Sequence, residues 1–250
     1  MTLTLLVTGA TSGFGAAITR RFVRDGHRVI AAGRRASRLA ALHQELGDSV
    51  LPFPLDVTDR AATAALPGSL PPGWRDVDVL VNNAGLALGV SPAQAASLDD
   101  WETMVATNVT GLIRLTRALL PAMVGRDRGH IVNVSSTAAS YPYPGGNVYG
   151  ASKAFVTQFS LNLKADLVGT GVRVTDLEPG LVGGSEFSNV RFGDADKAAA
   201  VYAGTTPLSP DDIAEAVAWV VNLPAHVNVN RLEMMPTCQG PGPMVIKRKG

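Results

Sequence analysis

Cysteine is the scarcest residue type in this chain of 250 residues, with Cys238 its single example. One thiol cannot form an intrachain disulfide, which excludes a small disulfide-stapled secreted scaffold and favours the reducing cytoplasm, where we expect the protein to reside. Long apolar runs are also missing, since none approaches the roughly 18 residues of a membrane-spanning helix. The apolar stretch at the N-terminus is too short for a signal peptide and lacks a basic leader.

A strong net charge is absent as well. The formal charge is +1, which gives no broad field for nucleic acid or anionic membrane, so we predict neither as a partner. The basic residues 247–249 form a short tail that we interpret as solvated. No metal site is predicted. Hydrophobic residues make up 46% and charged residues 17% of the chain, which allows a large core and argues against disorder.

Strand and helix signals alternate along the chain without a linker-like break, which predicts one α/β domain over residues 1–250. Strands are predicted at residues 3–7, 27–32, 50–54, 77–81, 131–135, 172–177 and 229–234. Helices are predicted at residues 37–46, 99–124, 149–168 and 210–223, besides one that follows the first strand. Residues 67–73, rich in proline and glycine, are predicted to be a loop.

A glycine-rich turn follows the first strand and leads into an amphipathic helix, which is the context that a dinucleotide-binding turn requires. Glycines let the backbone approach a pyrophosphate closely, and the free N–H groups of the helix N-terminus attract that anion. The glycine spacing is G-x-x-x-G-x-G rather than the usual G-x-G-x-x-G. The residues predicted to bind cofactor here are Gly9, Thr11, Ser12, Gly13, Phe14 and Gly15.

Two arginines, Arg34 and Arg35, follow the second strand, where an acid would bind the ribose 2′-hydroxyl of NAD(H). Guanidinium groups instead suit a 2′-phosphate by charge and by geometry. We therefore predict NADP(H) as the cofactor. The alternative is that these arginines and Arg38 simply face water at a helix start.

Tyr149 and Lys153 stand one helical turn apart, and Ser136 lies thirteen residues before Tyr149. The tyrosine and lysine should therefore project from the same helix face. We expect the lysine charge to lower the pKa of the phenol from its usual value near about 10. Such a phenol exchanges protons with an alcohol or carbonyl, and Ser136 can bind the same substrate oxygen. Taken alone, the pair is also compatible with an ordinary helix surface.

Several motifs occur in a fixed order: the glycine turn, Asp56-Val57, residues 82–85 with the sequence Asn-Asn-Ala-Gly, Asn108, Ser136, Tyr149-x-x-x-Lys153 and Pro179-Gly180. From Leu5 to about Met235 the chain thus resembles the classical short-chain dehydrogenase/reductase family. The resemblance implies a single Rossmann-type doubly wound α/β domain with a seven-stranded, mostly parallel sheet. It also implies a homotetramer built through the Asn108 helix, the Tyr149 helix and the last strand.

The resemblance assigns roles to individual residues. The implied catalytic residues are Asn108, Ser136, Tyr149 and Lys153, with Asn108 kinking its helix and holding a water that links Lys153 to solvent. The further implied cofactor contacts are Asp56, Val57, Asn83, Ala84, Gly85, Tyr149, Lys153, Pro179, Gly180, Val182 and Ser185. Many family members carry a threonine where this chain has Gly184, and whether Ser185 replaces it is left open. Asp56 is alternatively the N-cap of the next helix.

Residues 178–192 are similar to the subgroup of NADP-dependent 3-hydroxy acid dehydrogenases, as are residues 82–89, 144–150 and 223–228. This similarity implies short substrates: serine, allo-threonine, 3-hydroxypropionate or the matching semialdehydes. The alternatives are a broad NADPH-dependent aldehyde, ketone or sulfoaldehyde reductase, and a non-catalytic NADP(H)-binding regulator.

Residues 181–209 form a long glycine-containing segment that we predict to be a substrate-binding lid. Its basic residues are Arg191 and Lys197, and Arg191 is our candidate ligand of a substrate carboxylate. The alternative is a surface arginine paired with Glu186 or Asp194. The remaining predicted substrate contacts are Ser136, Asn147 and Tyr149, with the loop 141–147 as a wall of the pocket.

Overall fold

Seven parallel strands form one sheet in the order β3-β2-β1-β4-β5-β6-β7. The computed structural model describes residues 1–242, so the basic tail at 247–249 lies outside the described residues. The strands are β1 (Thr4–Thr8), β2 (Arg28–Gly33), β3 (Val50–Pro54), β4 (Val79–Asn82), β5 (Gly129–Val134), β6 (Val172–Pro179) and β7 (Arg231–Met234). The prediction of a doubly wound, seven-stranded sheet is confirmed.

Helices cover both faces of the sheet. They are α1 (Gly13–Arg24), α2 (Ala36–Leu46), α3 (Arg60–Ser69), α4 (Leu98–Val105), α5 (Leu112–Gly125), α6 (Asn147–Asp166), α7 (Phe187–Phe192), α8 (Ala195–Ala200) and α9 (Pro210–Asn222). None of the described helices is long and apolar enough to cross a membrane.

The central strands are apolar because both of their faces are covered. Leu5, Leu6 and Val7 of β1 are fully buried, and they pair with β2 on one side and β4 on the other. One face of the sheet packs against α1 and α9, whose core residues include Phe22 and Val217. The other face packs against α5 and α6. Each large apolar side chain buried in these two layers contributes about 1.5–3 kcal/mol, which fixes the strand ends that carry the site.

The structure corrects three predictions about local structure. The helix predicted at 99–124 is interrupted by a π-helical turn at Ala106–Gly111, between α4 and α5. The segment 67–73 is not all loop, because α3 continues through Pro67 to Ser69. Asp56 does not cap that helix: its carboxylate accepts hydrogen bonds from Thr58, and Asp59 is the N-cap.

The predicted lid contains two short helices, α7 and α8, that the sequence reasoning did not foresee. Its ends are joined, since the Gly183 N–H donates to the Leu208 carbonyl and the Leu208 N–H donates to that of Leu181. The lid ends at Ser209, the N-cap of α9, which forms a capping box with Asp212. The two ends of the segment therefore lie side by side just after β6.

Candidate active site

Two adjoining cavities lie at the carboxyl ends of the strands, where parallel α/β sheets bind ligands. The first, of about 330 Å³, is called here the nucleotide groove and runs along the turns after β1, β2 and β4. The second, of about 270 Å³, is called the lid pocket and lies between β5, β6 and the lid. Tyr149 and Phe187 line both cavities, so one phenol faces both.

Most of the predicted cofactor residues line the nucleotide groove. They are Gly9, Thr11, Ser12, Gly13, Phe14, Arg34, Arg35, Asp56, Val57, Asn83, Ala84, Gly85, Tyr149, Lys153 and Ser185. Pro179, Gly180 and Val182 line the lid pocket instead. Gly15 lines neither and is a packing residue, because a Cβ there would collide with the Gly9 carbonyl group.

The glycine turn is held open by hydrogen bonds between β1 and the loop after β4. The Thr8 hydroxyl accepts from the backbone N–H groups of Asn83 (3.0 Å) and Ala84 (2.9 Å). The Asn83 side chain donates back to the Thr8 carbonyl at 2.8 Å. Gly9 and Gly13 both have positive φ, at 66° and 49°, which side-chain-bearing residues rarely adopt. Both glycines line the nucleotide groove, so no side chain at these two positions stands between the backbone and a ligand.

The arginines after β2 do not simply face water. Arg35 donates to the hydroxyls of Thr11 (3.0 and 3.2 Å) and Ser12 (2.8 Å), so its guanidinium lies across the glycine turn. Arg34 lines the groove near Asp56. The pKa of Asp56 is lowered because hydrogen bonds from Thr58 and the charge of Arg34 outweigh its desolvation.

Glu186 joins this cluster, which sequence reasoning missed. Its carboxylate contacts Arg35 at 2.8 Å and Arg38 at 2.7 Å. Hydrogen bonds first from Arg38 and then from Arg35 lower its pKa to about 2. The contact joins residues about 150 positions apart, and no local pattern in the sequence signals it.

Tyr149 and Lys153 lie on one face of α6, as predicted, and both are buried. The Lys153 ammonium donates to the Val134 carbonyl at 2.8 Å and lies 5.9 Å from the centre of the Tyr149 ring. Ser136, at the end of β5, lines the lid pocket beside the phenol.

The expected lowering of the tyrosine pKa by Lys153 is wrong for the protein alone. Burial raises the pKa of Tyr149 to about 12, against opposing effects of a hydrogen bond with Ser136 and the charge of Arg191. Burial also lowers the pKa of Lys153 to about 8, although Asp176 opposes this. Desolvation therefore favours the neutral form of both groups. Even so, a lysine pKa near 8 leaves most of the ammonium charged at neutral pH.

Asn108 lies inside the π-helical turn and is buried. Its amide group donates to the Leu86 carbonyl at 2.9 Å and to the Ser152 hydroxyl at 3.0 Å, and its oxygen accepts from the Leu86 N–H at 2.9 Å. A Cβ placed on Gly85 would lie 3.3 Å from both the Asn108 oxygen and the Lys153 nitrogen. The asparagine therefore lies beside the lysine with both amide hydrogens already used.

Arg191 reaches the lid pocket from α7. Its guanidinium lies over the rings of Tyr143 (5.2 Å) and Tyr149 (5.6 Å), and its Nε donates to the Gly89 carbonyl at 3.3 Å. One terminal nitrogen is buried and has no hydrogen-bond partner among the described residues. The alternative pairings do not occur, since Glu186 contacts Arg35 and Arg38, and Asp194 contacts Lys197.

Asn147 is not where the sequence reasoning placed it. Its amide donates to the Ser91 carbonyl at 3.2 Å, its oxygen accepts from the Val148 N–H, and it does not line the lid pocket. Because it is the first residue of α6, its side chain is used to satisfy free groups at the helix start. Tyr143 and Pro144 of the same loop do line the pocket.

Comparison with known proteins decides the family. The family model described as short chain dehydrogenase matches residues 3–194. The chain belongs to the short-chain dehydrogenase family. The resemblance inferred from the motif order is confirmed, and the chain is an oxidoreductase of this family.

Relatives within the family are close in sequence and in structure. The chain is 66% identical over 236 residues to the NADP-dependent 3-hydroxy acid dehydrogenase of Salmonella typhi, covering 94% of this chain and 95% of that protein. It is 53% identical over 240 residues to the serine 3-dehydrogenase of Agrobacterium fabrum, covering 96% of each. A structure of the closed form of serine dehydrogenase complexed with NADP⁺ shares 60% identity and a TM-score of 0.95, covering 99% of this chain and 100% of that one.

Proposed function

We propose that this short-chain dehydrogenase oxidises the hydroxyl group of short 3-hydroxy acids with NADP⁺, or reduces the matching semialdehydes with NADPH. The observation that carries the substrate class is the guanidinium of Arg191. Arg191 lines the lid pocket, its guanidinium lies 5.6 Å from the centre of the Tyr149 ring, and one buried terminal nitrogen has no hydrogen-bond partner among the described residues. Buried polar groups rarely lack a partner, so this nitrogen suits the carboxylate of a bound acid.

The relatives support the same substrate class, because their names include 3-hydroxy acid dehydrogenase and serine 3-dehydrogenase. Short acids suit a pocket that Arg191, Tyr149 and Ser136 all line. One end of such a molecule can contact Arg191 while its hydroxyl reaches Tyr149 and Ser136. Serine, allo-threonine and 3-hydroxypropionate all have this two-ended chemistry.

The cofactor would occupy the nucleotide groove. Arg34 and Arg35 suit the 2′-phosphate of NADP(H), and the glycine turn at Gly9 and Gly13 suits the pyrophosphate. Lys153 and Tyr149 line the same groove. The absence of an acid after β2 favours the phosphorylated cofactor. NADP⁺ supplies the acceptor for the hydride that leaves the substrate carbon.

The protein residues handle the proton. In oxidation, Ser136 orients the substrate oxygen and stabilises the charge that develops on it, while the Tyr149 oxygen takes the hydroxyl proton. In reduction, Tyr149 returns that proton to the carbonyl oxygen. Because burial raises the pKa of Tyr149 to about 12, the phenolate needs positive charge nearby, and Lys153 and Arg191 are the cations placed to provide it. Asn108 would complete a path from Lys153 to solvent.

The test compares acids with neutral substrates in an Arg191→Leu variant. A charge-assisted contact is worth about 1.5–3 kcal/mol, so KM for serine and 3-hydroxypropionate should rise about 10- to 100-fold, while KM for small neutral aldehydes changes little. The measurement is NADPH absorbance across a panel of short acids and aldehydes. Lys197→Leu removes the other lid cation and should leave both KM values unchanged.

Two results would contradict parts of this proposal. Equal rises in KM for acids and neutral aldehydes would mean that Arg191 does not recognise the substrate carboxylate. If the unmodified enzyme ignores every short hydroxy acid but reduces neutral aldehydes, the broad carbonyl reductase is the better description. Turnover of either class excludes the non-catalytic regulator.

We also propose that the enzyme is a homotetramer and that residues 181–209 close over the substrate. Exposed apolar side chains on the helices assigned to the interface support assembly: Val105 next to the π-helical turn and Phe155 on α6 are 43% and 40% exposed. Light scattering coupled to size-exclusion chromatography would give the mass directly, and a monomer would refute the assembly. A cytoplasmic location and a single domain over residues 1–250 stay predictions.

A further inference from the structure

Glu186 of the lid forms ion pairs with Arg35 and Arg38, and these three side chains together are called here the clasp. Glu186 directly precedes α7, and each of its carboxylate oxygens contacts one guanidinium group, that of Arg35 or that of Arg38. The side chains are about 40–46% exposed, so the clasp is reachable from solvent. Glu186 also lines the nucleotide groove, so the lid contributes an anion to the wall of the cofactor site.

The donor groups of Arg35 are nearly all occupied in this arrangement. Its Nε and one terminal nitrogen donate to Thr11 and Ser12, and the other terminal nitrogen donates to Glu186. A guanidinium has five N–H groups, and four of them are accounted for by these contacts. A phosphate monoester that binds Arg35 through two of its hydrogens must therefore displace an existing acceptor. Glu186 is the charged acceptor among them, and it would repel a phosphate dianion.

The clasp is mechanically connected to the lid pocket. Phe187, the next residue, lies with its ring centre 5.7 Å from that of Tyr149. Arg191 is one helical turn further along α7, and its backbone carbonyl accepts from the Gly89 N–H at 3.0 Å. A change in the position of Glu186 therefore reaches both the proton-transfer residue and the candidate carboxylate ligand through a six-residue helix.

We propose that Glu186 is a competitor for the cofactor's 2′-phosphate, and that its displacement by the phosphate releases the start of the lid. This inference rests on the proposed NADP(H) specificity. NAD(H) carries no 2′-phosphate, so it leaves the clasp closed. The Glu186 carboxylate thus weakens binding of the phosphorylated cofactor slightly, and it makes the position of α7 depend on which cofactor is bound.

The first experiment measures binding of nucleotide fragments by isothermal titration calorimetry. In Glu186→Gln, which keeps the size but removes the charge, adenosine 2′-monophosphate should bind about 2- to 5-fold more tightly than in the unmodified protein, the range expected for partly exposed ion pairs. Adenosine 5′-monophosphate should bind both proteins equally. Asp196→Asn removes an equally negative but unclasped lid residue and should leave both affinities unchanged.

The second experiment follows backbone hydrogen exchange at residues 186–192 without turnover. Saturating adenosine 2′-monophosphate should raise exchange there in the unmodified protein to the level of Glu186→Gln, whereas adenosine 5′-monophosphate should not. Unchanged or weaker binding of the 2′-phosphate in Glu186→Gln would overturn the proposal, since Glu186 would then organise the arginines for the phosphate. Equal exchange with the two nucleotides would overturn the coupling to the lid.

Cofactor affinities and hydrogen exchange together distinguish failure of the clasp proposal from failure of the NADP(H) assignment. If the unmodified protein binds NAD(H) as tightly as NADP(H), the cofactor assignment fails whatever Glu186 does. If it prefers NADP(H) and Glu186→Gln changes neither the affinity nor the exchange, only the clasp is refuted.

Discussion

Tyr149 combines burial with a function that requires ionisation. Its side chain is 7% exposed, its pKa is raised to about 12 by that burial, and the groups that oppose the shift are Ser136 and Arg191. Tyr149 can therefore exchange a proton at neutral pH only when the polar and charged groups around it are in place. A tyrosine in this position is a poor base by itself and a good one only next to cations.

The proton-transfer role predicts the behaviour of Tyr149→Phe. The substitution removes one oxygen from a packed ring, so folding and NADP(H) binding should persist while turnover falls about 10²- to 10⁴-fold, the range for a lost general acid–base group. Cofactor binding is followed by NADPH fluorescence and turnover by absorbance. Ser136→Ala serves as a companion that should reduce turnover without removing the phenol. A folded Tyr149→Phe protein with near-normal turnover would rule out the assignment.

At the scale of the element, the π-helical turn between α4 and α5 has a definite effect on the site. The wider turn carries Asn108 inward, where its amide bonds Leu86 after β4 and Ser152 on α6. Three parts of the site are thus fixed by one side chain. π-helical turns are rare and are often found at functional sites.

Replacing Asn108 with Ala should loosen that junction. Loss of the amide removes a hydrogen bond from the Leu86 N–H, the Leu86 carbonyl and the buried Ser152 hydroxyl, which costs about 1–3 kcal/mol in the free energy of unfolding if water does not replace them. Turnover should fall further than stability alone explains, because Lys153 borders the same junction. Urea unfolding and kcat are measured side by side, with Asn162→Ala on the outer face of α6 as control. Full activity in a destabilised Asn108→Ala protein would show that the residue is only a structural tie.

The sequence predicted those elements whose cause is local. The buried parallel strands are apolar runs in the sequence. The glycine turn and the Tyr149–Lys153 pair were also visible, since both are set by short spacing. The clasp of Glu186 depends on packing across about 150 residues, and the side chain of Asn147 was taken by a neighbouring backbone. Neither outcome follows from a local pattern. The lid helix α8 did have a local signal that was missed, since Asp194 caps its N-terminus.

At the scale of the whole molecule, one buried histidine, His130, contributes to the loss of folding stability at acidic pH. His130 on β5 is 2% exposed, and burial, with a smaller effect of Arg173, lowers its pKa from 6.5 to about 3. In the unfolded chain the His130 imidazole binds a proton near pH 6.5, whereas in the folded protein it binds one only near pH 3. Stability from this group is therefore complete above pH 6.5 and is lost as the pH falls towards 3, by at most roughly 5 kcal/mol at about 1.4 kcal/mol per pKa unit.

The corresponding measurement is urea unfolding at pH 7 and pH 5 for the unmodified protein and His130→Gln. Asp176 contributes a pH dependence of stability in the opposite direction. Burial raises its pKa to about 7, and the protonated form that the fold favours is lost as the pH rises. The informative quantity is thus the difference between the two proteins. The unmodified protein should lose about 2 kcal/mol more than the variant on acidification. Equal losses would remove His130 as the cause.

The shared wall of the two cavities has a consequence for the order in which the ligands bind. Ser185 and Phe187 line both the nucleotide groove and the lid pocket, so a nucleotide in the first cavity completes one side of the second. We therefore expect a compulsory-order mechanism in which the coenzyme adds first and leaves last. Initial-rate studies should find the two coenzyme forms competitive with each other and the oxidised product noncompetitive towards the hydroxy acid. Detectable binding of a hydroxy acid to the coenzyme-free enzyme, at its kinetic affinity, would point to random addition instead.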